Sequence, residues 1–110
     1  MFSSLQEFLY WIIVAVPSIL IASTVHEYAH AYSAYKLGDP TAKAEGRLTL
    51  NPLKHIDPIG ALAMILFRFG WSKPVPINEY NFEKRETYTA ITALAGPLSN
   101  LILAAITGLI

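Results

Sequence analysis

Cysteine is absent from this 110-residue chain, which excludes a disulfide framework and any thiolate metal site. A metal here would be held by His, Asp, Glu, backbone or water. Net charge is absent too: eight Lys and Arg balance eight Asp and Glu, so nothing supports a nucleic-acid partner. Charge of positive sign is also missing from both ends, with none before Lys36 and none after Arg85. The first apolar run therefore has no basic leader, and no small-residue cleavage site follows it. It reads as a retained membrane helix rather than a signal peptide. What is abundant is apolar side chain, 54% of the residues, with a mean hydropathy of +0.41, above the usual share for a soluble domain. Uncharged apolar ends around a basic middle are the layout of a polytopic membrane protein, mainly α-helical and lying in a lipid bilayer.

Along the chain, a first helix is predicted over 4–37. Ser4-Leu-Gln-Glu7 fits a capping box. Phe8 to Val25 carries no charge and is long enough to span. Pro17 lies inside it and predicts a kink. Gly38-Asp39-Pro40 gives the stop. At 1.5 Å per residue this helix would reach about 50 Å, against a hydrocarbon core of roughly 30 Å, so it must tilt or leave the lipid.

A polar, basic loop is predicted over 41–86. Within it Arg47-Leu-Thr-Leu-Asn51 alternates with period two, a short strand signal, and Asn51-Pro52 marks a turn. Asp57-Pro58 reads as the cap and first residue of a new helix. The apolar stretch 58–70 is short for a span and suits a re-entrant or interfacial segment. Lys73-Pro-Val-Pro-Ile-Asn78 is extended by its prolines and is a second candidate strand. A second spanning helix is predicted over 87–110, interrupted at Gly96-Pro97. The expected fold is thus two spanning helices, a re-entrant segment and short β-strands on the cytoplasmic side. Every Lys and Arg falls between Lys36 and Arg85, so the positive-inside rule places that region in the cytoplasm of a multi-pass cell-membrane protein. The last apolar run reaches Ile110 without a polar end. The residues 1–110 are therefore expected to form a single membrane-embedded core that continues past Ile110.

His26-Glu27-Tyr28-Ala29-His30 matches H-E-x-x-H on the predicted helix. Residues four apart share a face, so two imidazoles can meet one ion. Glu27 is offset by one residue and placed to act as general base on a metal-bound water. The blander alternative is a pair of helix histidines that cap neighbours or stack on Tyr28 and Tyr32. The setting favours the metal, because ionisable groups at the end of an apolar span are costly and functional. The expectation is one zinc ion on His26 and His30, with Glu27 catalytic.

A zinc site needs a third protein ligand. The candidates in the chain are His55, Asp57, Glu79, Glu83 and Glu86, and none is set apart by its context. Asp57 is better explained as a cap, and the glutamates lie in a solvated charged stretch. The third ligand is expected beyond Ile110. Ser18, Ala22, His26, His30 and Ala34 form one stripe, and Thr92, Gly96, Asn100, Ala104 and Gly108 another. Small residues let membrane helices approach closely. If the stripes face each other, Asn100 comes towards the metal; the alternative is a plain hydrogen bond between helices.

Four blocks together resemble the site-2 protease family of intramembrane zinc metalloproteases, in its compact bacterial or archaeal form. They are His26–His30, Gly46-Arg-Leu-Thr-Leu-Asn-Pro-Leu-Lys-His-Ile-Asp-Pro-Ile-Gly60, Gly70-Trp-Ser-Lys-Pro-Val-Pro-Ile-Asn78 and Ala95-Gly-Pro-Leu-Ser-Asn100. The resemblance implies a zinc site opening towards the cytoplasm and cleavage of membrane-embedded protein or peptide substrates. By position it implies His26 and His30 as ligands and Glu27 as base. The family's third ligand is an aspartate before glycine on a later membrane helix, with an oxyanion asparagine nearby. Neither has a counterpart in these residues, and Asn100 belongs to a different block, so activity of these 110 residues alone is not implied.

An unwound substrate could add as a strand to Arg47–Asn51 or Lys73–Asn78, or both are ordinary connecting segments. Two other functions fit the same residues: a membrane metal transporter, and a non-catalytic scaffold that lacks the third ligand.

Overall fold

The computed structural model describes residues 3–108. The first helix begins as expected at Ser4, whose hydroxyl accepts the Glu7 N–H at 3.1 Å. The return arm of the capping box differs: the Glu7 carboxylate bonds Ser3 rather than Ser4. α1 (Leu5–Tyr10) passes through a π turn, Trp11–Ala15, into α2 (Val16–Lys36). Proline lacks an N–H and its ring crowds the carbonyl four residues back. Just before Pro17 the turn widens, and Val16 N–H reaches Trp11 O, five residues back. The irregularity expected at Pro17 is therefore a π turn in a helix that continues. After Lys36, Gly38 takes φ +113°, a conformation that suits glycine, and Asp39 N–H closes on Ala34 O at 2.8 Å.

Asp39 is fully buried beside the single turn α3 (Thr41–Ala44). Its carboxylate accepts from the Thr41 N–H and hydroxyl, from Asn78 N–H at 2.8 Å and from the Asn81 amide at 2.8 Å. Burial alone pushes a carboxyl pKa up, but these bonds together outweigh it and hold Asp39 below the usual carboxylate range. The loop at 78–81 is thereby tied to the end of α2.

α4 (Pro58–Phe67) starts as the sequence predicts. Asp57 Oδ1 accepts from Ile59 and Gly60 N–H at 3.0 and 2.9 Å. The helix ends at Phe67, and Arg68 reverses the chain with φ 60°. The return limb lies directly on α4: a Cβ on Gly60 would strike the Trp71 carbonyl, and one on Gly70 would strike the Gly60 carbonyl and Met64. Ile56 and Ser72 then form an antiparallel bridge, and Lys73 N–H bonds His55 O at 2.8 Å. The segment thus leaves and returns at one end, as a hairpin. Its far end docks on the first helix, where Trp11 Nε1 donates to Met64 O at 2.7 Å and Arg68 pairs with Glu7.

The expected short strands are not formed. Among the described residues the pairing of Ile56 with Ser72 is an isolated bridge, and Arg47–Asn51 and Lys73–Asn78 build no ladder. The reason lies in the donors and acceptors. Pro74 and Pro76 have no N–H to give, and the Lys73 and Pro74 carbonyls are taken by the Arg47 guanidinium at 2.6 and 3.0 Å.

α5 (Arg85–Gly108) packs along α2. It is not interrupted at Gly96-Pro97; the helix runs through both, with the Ser99 hydroxyl bonding Gly96 O at 2.7 Å. Residues 109–110 of the expected span lie outside the described residues. Burial is inverted relative to a soluble fold. Thr24, Asp39, Arg47, His55 and Thr92 are buried, whereas Ile13, Ile21, Leu94, Leu101 and Ile106 are exposed. The core helix of a soluble protein would be covered. Leu5–Lys36 and Arg85–Gly108 are long, apolar and almost wholly uncovered, so both are candidate membrane spans.

Candidate metal centre

One helical turn separates His26 from His30, and their side chains meet on the face of α2 that packs against α5. The two Nε2 atoms are 3.0 Å apart and the rings stand edge to face, centroids 4.6 Å apart. His30 Nδ1 lies 2.7 Å from the Thr92 carbonyl oxygen. A carbonyl only accepts, so Nδ1 carries the proton and Nε2 keeps its lone pair. On the other ring, His26 Nδ1 faces the Asn100 amide nitrogen at 3.2 Å.

Thr92 and Asn100 are both on α5, with Gly96 between them. A Cβ at Gly96 would sit 2.5 Å from His30 Nε2 and 2.7 Å from His26 Nε2. The absence of a side chain at this point lets α5 pass directly against the paired rings. The two small-residue stripes therefore do face each other. Their contact is tight at Gly96 and opens around Ala22 and Ala104, which line a cavity of about 360 Å³. Tyr28 and Tyr32 stack on each other, centroids 5.9 Å apart.

The donor set suits a tetrahedral ion. Zinc–nitrogen bonds of about 2.0–2.1 Å at tetrahedral angles hold two ligand nitrogens roughly 3.3 Å apart. The Nε2 pair needs to separate by only a few tenths of an ångström from its 3.0 Å. Each ring is also tethered through its other nitrogen, which fixes its orientation.

Glu27 is held away from the two rings by a different part of the chain. Its Oε2 accepts the Val75 N–H at 3.3 Å and its Oε1 the Ser72 hydroxyl at 3.4 Å. Both bonds are long, so the carboxylate keeps accepting capacity. With His30, Val75, Thr89 and Thr92 it lines a cleft of about 300 Å³.

The segment that carries Ser72 and Val75 is fixed by a buried pair. Arg47 donates to the Lys73 and Pro74 carbonyls and, at 3.3 Å, to His55 Nδ1. His55 Nε2 in turn donates to Thr49 O at 2.8 Å. Arg47 and His55 are 5% and 2% exposed, so their contact with each other is buried.

The other residues weighed as third ligands are not brought to the histidines. His55 has both nitrogens bonded within the clamp, Asp57 caps α4, and Glu79, Glu83 and Glu86 are exposed. Among the described residues no three His, Asp or Glu side chains converge as a metal site. Sequence reasoning missed the holders of Glu27 and the Arg47 clamp. Their only signal was membership of the blocks around Gly46–Gly60 and Gly70–Asn78. The Thr92 carbonyl is backbone and has no signal in side-chain identity.

Relatives of this chain are informative. It is 46% identical over 104 residues to "Putative zinc metalloprotease YwhC" of Bacillus subtilis, covering 91% of this chain and 48% of that protein. It is 34% identical over 98 residues to "Putative zinc metalloprotease Rip2" of Mycolicibacterium smegmatis, covering 84% and 37%. The Rip2 of Mycobacterium tuberculosis is 27% identical over 96 residues, again covering 84% and 37%. The chain thus spans less than half the length of these relatives. No family model and no solved structure matches it.

Proposed function

We propose that this chain forms the zinc-binding front portion of an intramembrane metalloendopeptidase, because it is similar to proteins named putative zinc metalloproteases and carries the four blocks that resemble the site-2 protease family. Such an enzyme hydrolyses peptide bonds of membrane-embedded substrates. The observation that carries this reading is the pair of imidazole nitrogens 3.0 Å apart, with a carboxylate one residue along held separately by Val75 and Ser72.

When bound, a zinc ion supplies a Lewis acid that lowers the pKa of water and polarises a peptide carbonyl. His26 and His30 would hold it through Nε2. Glu27 takes the proton of the attacking water, a role worth about 10²–10⁴-fold in rate. The third ligand is proposed to lie past Ile110. The cleft between residues 74–77 and α5 is the proposed place of the substrate. A strand edge is less suited, because Val75 and Asn78 N–H are committed to Glu27 and Asp39 and prolines flank Val75. The distribution of Lys and Arg supports a cleft open to the cytoplasm of a multi-pass cell-membrane protein.

The test uses the full-length protein in detergent or vesicles. Glu27→Gln is expected to keep one zinc per chain and to lower cleavage of a membrane-embedded reporter at least about 10²-fold. His26→Ala is expected to lose the zinc. Zinc retained at full affinity in His26→Ala, or cleavage undiminished in Glu27→Gln, would overturn the reading.

A further inference from the structure

We propose that Asn100 is a positioning residue for His26: its side-chain carbonyl accepts the Nδ1 proton and so turns Nε2 into a lone pair aimed at the metal. The proposal rests on the reading of His26 and His30 as ligands.

Two observations on one side chain carry it. The Asn100 amide nitrogen is 3.2 Å from His26 Nδ1. Its amide oxygen is buried and has no hydrogen-bond partner. A buried carbonyl oxygen without a donor is costly and rare. The two ends of an amide have the same outline and exchange by a half-turn, so hydrogen bonding decides which end faces the ring.

The two settings have different consequences for the imidazole pair. With the nitrogen facing the ring, Nδ1 of neutral His26 must accept, and the ring proton moves to Nε2. His30 already has its proton on Nδ1, fixed by Thr92 O. His26 Nε2–H then donates to His30 Nε2 across 3.0 Å, and the rings are bonded to each other. With the oxygen facing the ring, the acceptor gains Nδ1–H as its donor, and the amide nitrogen takes the place the oxygen held. Nδ1–H points at Asn100, and both Nε2 atoms offer lone pairs to one point beside Gly96. The amide orientation and the His26 tautomer are one variable with two settings, a ring-to-ring bond or a ligand pair. His30 has no such freedom, because a backbone carbonyl cannot turn round.

The experiment measures zinc affinity of the full-length protein by chelator competition, with nitrogen NMR on labelled histidine. Asn100→Ala is expected to weaken zinc binding about 10–100-fold, the usual effect of losing such a partner. Asn100→Asp is expected to keep affinity within a few-fold, since either carboxylate oxygen accepts from Nδ1–H. The zinc-loaded wild type should show a protonated Nδ1 at His26. An affinity within two-fold in a folded Asn100→Ala, or Asn100→Asp as weak as Ala, would overturn the proposal. Should Ala at 100 fail to fold, the Asp variant and the Nδ1 signal decide: an unprotonated Nδ1 in the loaded protein overturns it. His26→Ala is the separate control. If it retains zinc, the ligand reading fails, whereas loss in that variant alone removes only the part assigned to Asn100.

Discussion

The chain uses histidine in two ways. His55 is 2% exposed and has both ring nitrogens bonded inside the protein, one to a backbone carbonyl and one to Arg47. His26 and His30 are each bonded on Nδ1 by α5, and their Nε2 atoms face one another. The first arrangement is complete and locks a loop. The second leaves two ring nitrogens facing each other, the placement from which two imidazoles can share a cation. Burial already sets the two apart, His55 being buried and His26 and His30 only half-buried; the distribution of partners around each ring says what each arrangement can do.

The comparison breaks most sharply at Gly96. Gly96→Ala places a methyl against both Nε2 atoms, within 2.7 Å, while adding a good helix former to α5. Overpacking of this kind costs about 1–3 kcal/mol, roughly 5–150-fold in affinity where it falls on the zinc-loaded state. Zinc competition on the full-length protein should show that loss, with the environment of His55 unchanged.

Arg47→Met tests the other half. It strips the Lys73 and Pro74 carbonyls and His55 Nδ1 of their donor. Leaving the buried His55 nitrogen unmatched costs about 1–3 kcal/mol. Unfolding in detergent should report that destabilisation, while one zinc per chain is retained. A variant that loses zinc but not stability would show that the clamp serves the metal pair directly.

The smallest effect sharpens the contrast through pH. Asp39 has its carboxyl held below the ordinary value by its hydrogen bonds. Its stabilisation is fully present above the unfolded pKa, about 3.9, and fades as pH falls through the lower folded value. Asp39→Asn should therefore lower stability at neutral pH and flatten the acid limb of the unfolding curve.

Much of this was legible in the sequence because it is local. Ser4, Gly38 and Asp57 act through hydrogen bonds within a few residues, and the facing of the two stripes follows from helical periodicity and small side chains. The distant partners were not legible. Alternation at Arg47–Asn51 suggested a strand, but ladder formation depends on a partner with free N–H and C=O groups. Arg47 and the prolines remove those. A break at Gly96-Pro97 was expected from proline's missing N–H, yet the helix continues, as membrane helices allow when other groups cover the freed carbonyl. Asp39 looked like part of a helix stop; its burial depends on residues 78 and 81, which no short-range pattern reveals.

The separations along the chain also set an order of events. The two imidazoles are four residues apart and meet as soon as α2 winds. The partners of Glu27 come 45 and 48 residues later, and those of the imidazoles on α5 later still, at 62 and 74. Local contacts form early, whereas distant ones wait for loop closure. During synthesis the chain therefore carries a paired set of nitrogens before it has a held carboxylate. The pairing of the rings precedes both the fixing of their orientation by α5 and the tethering of Glu27.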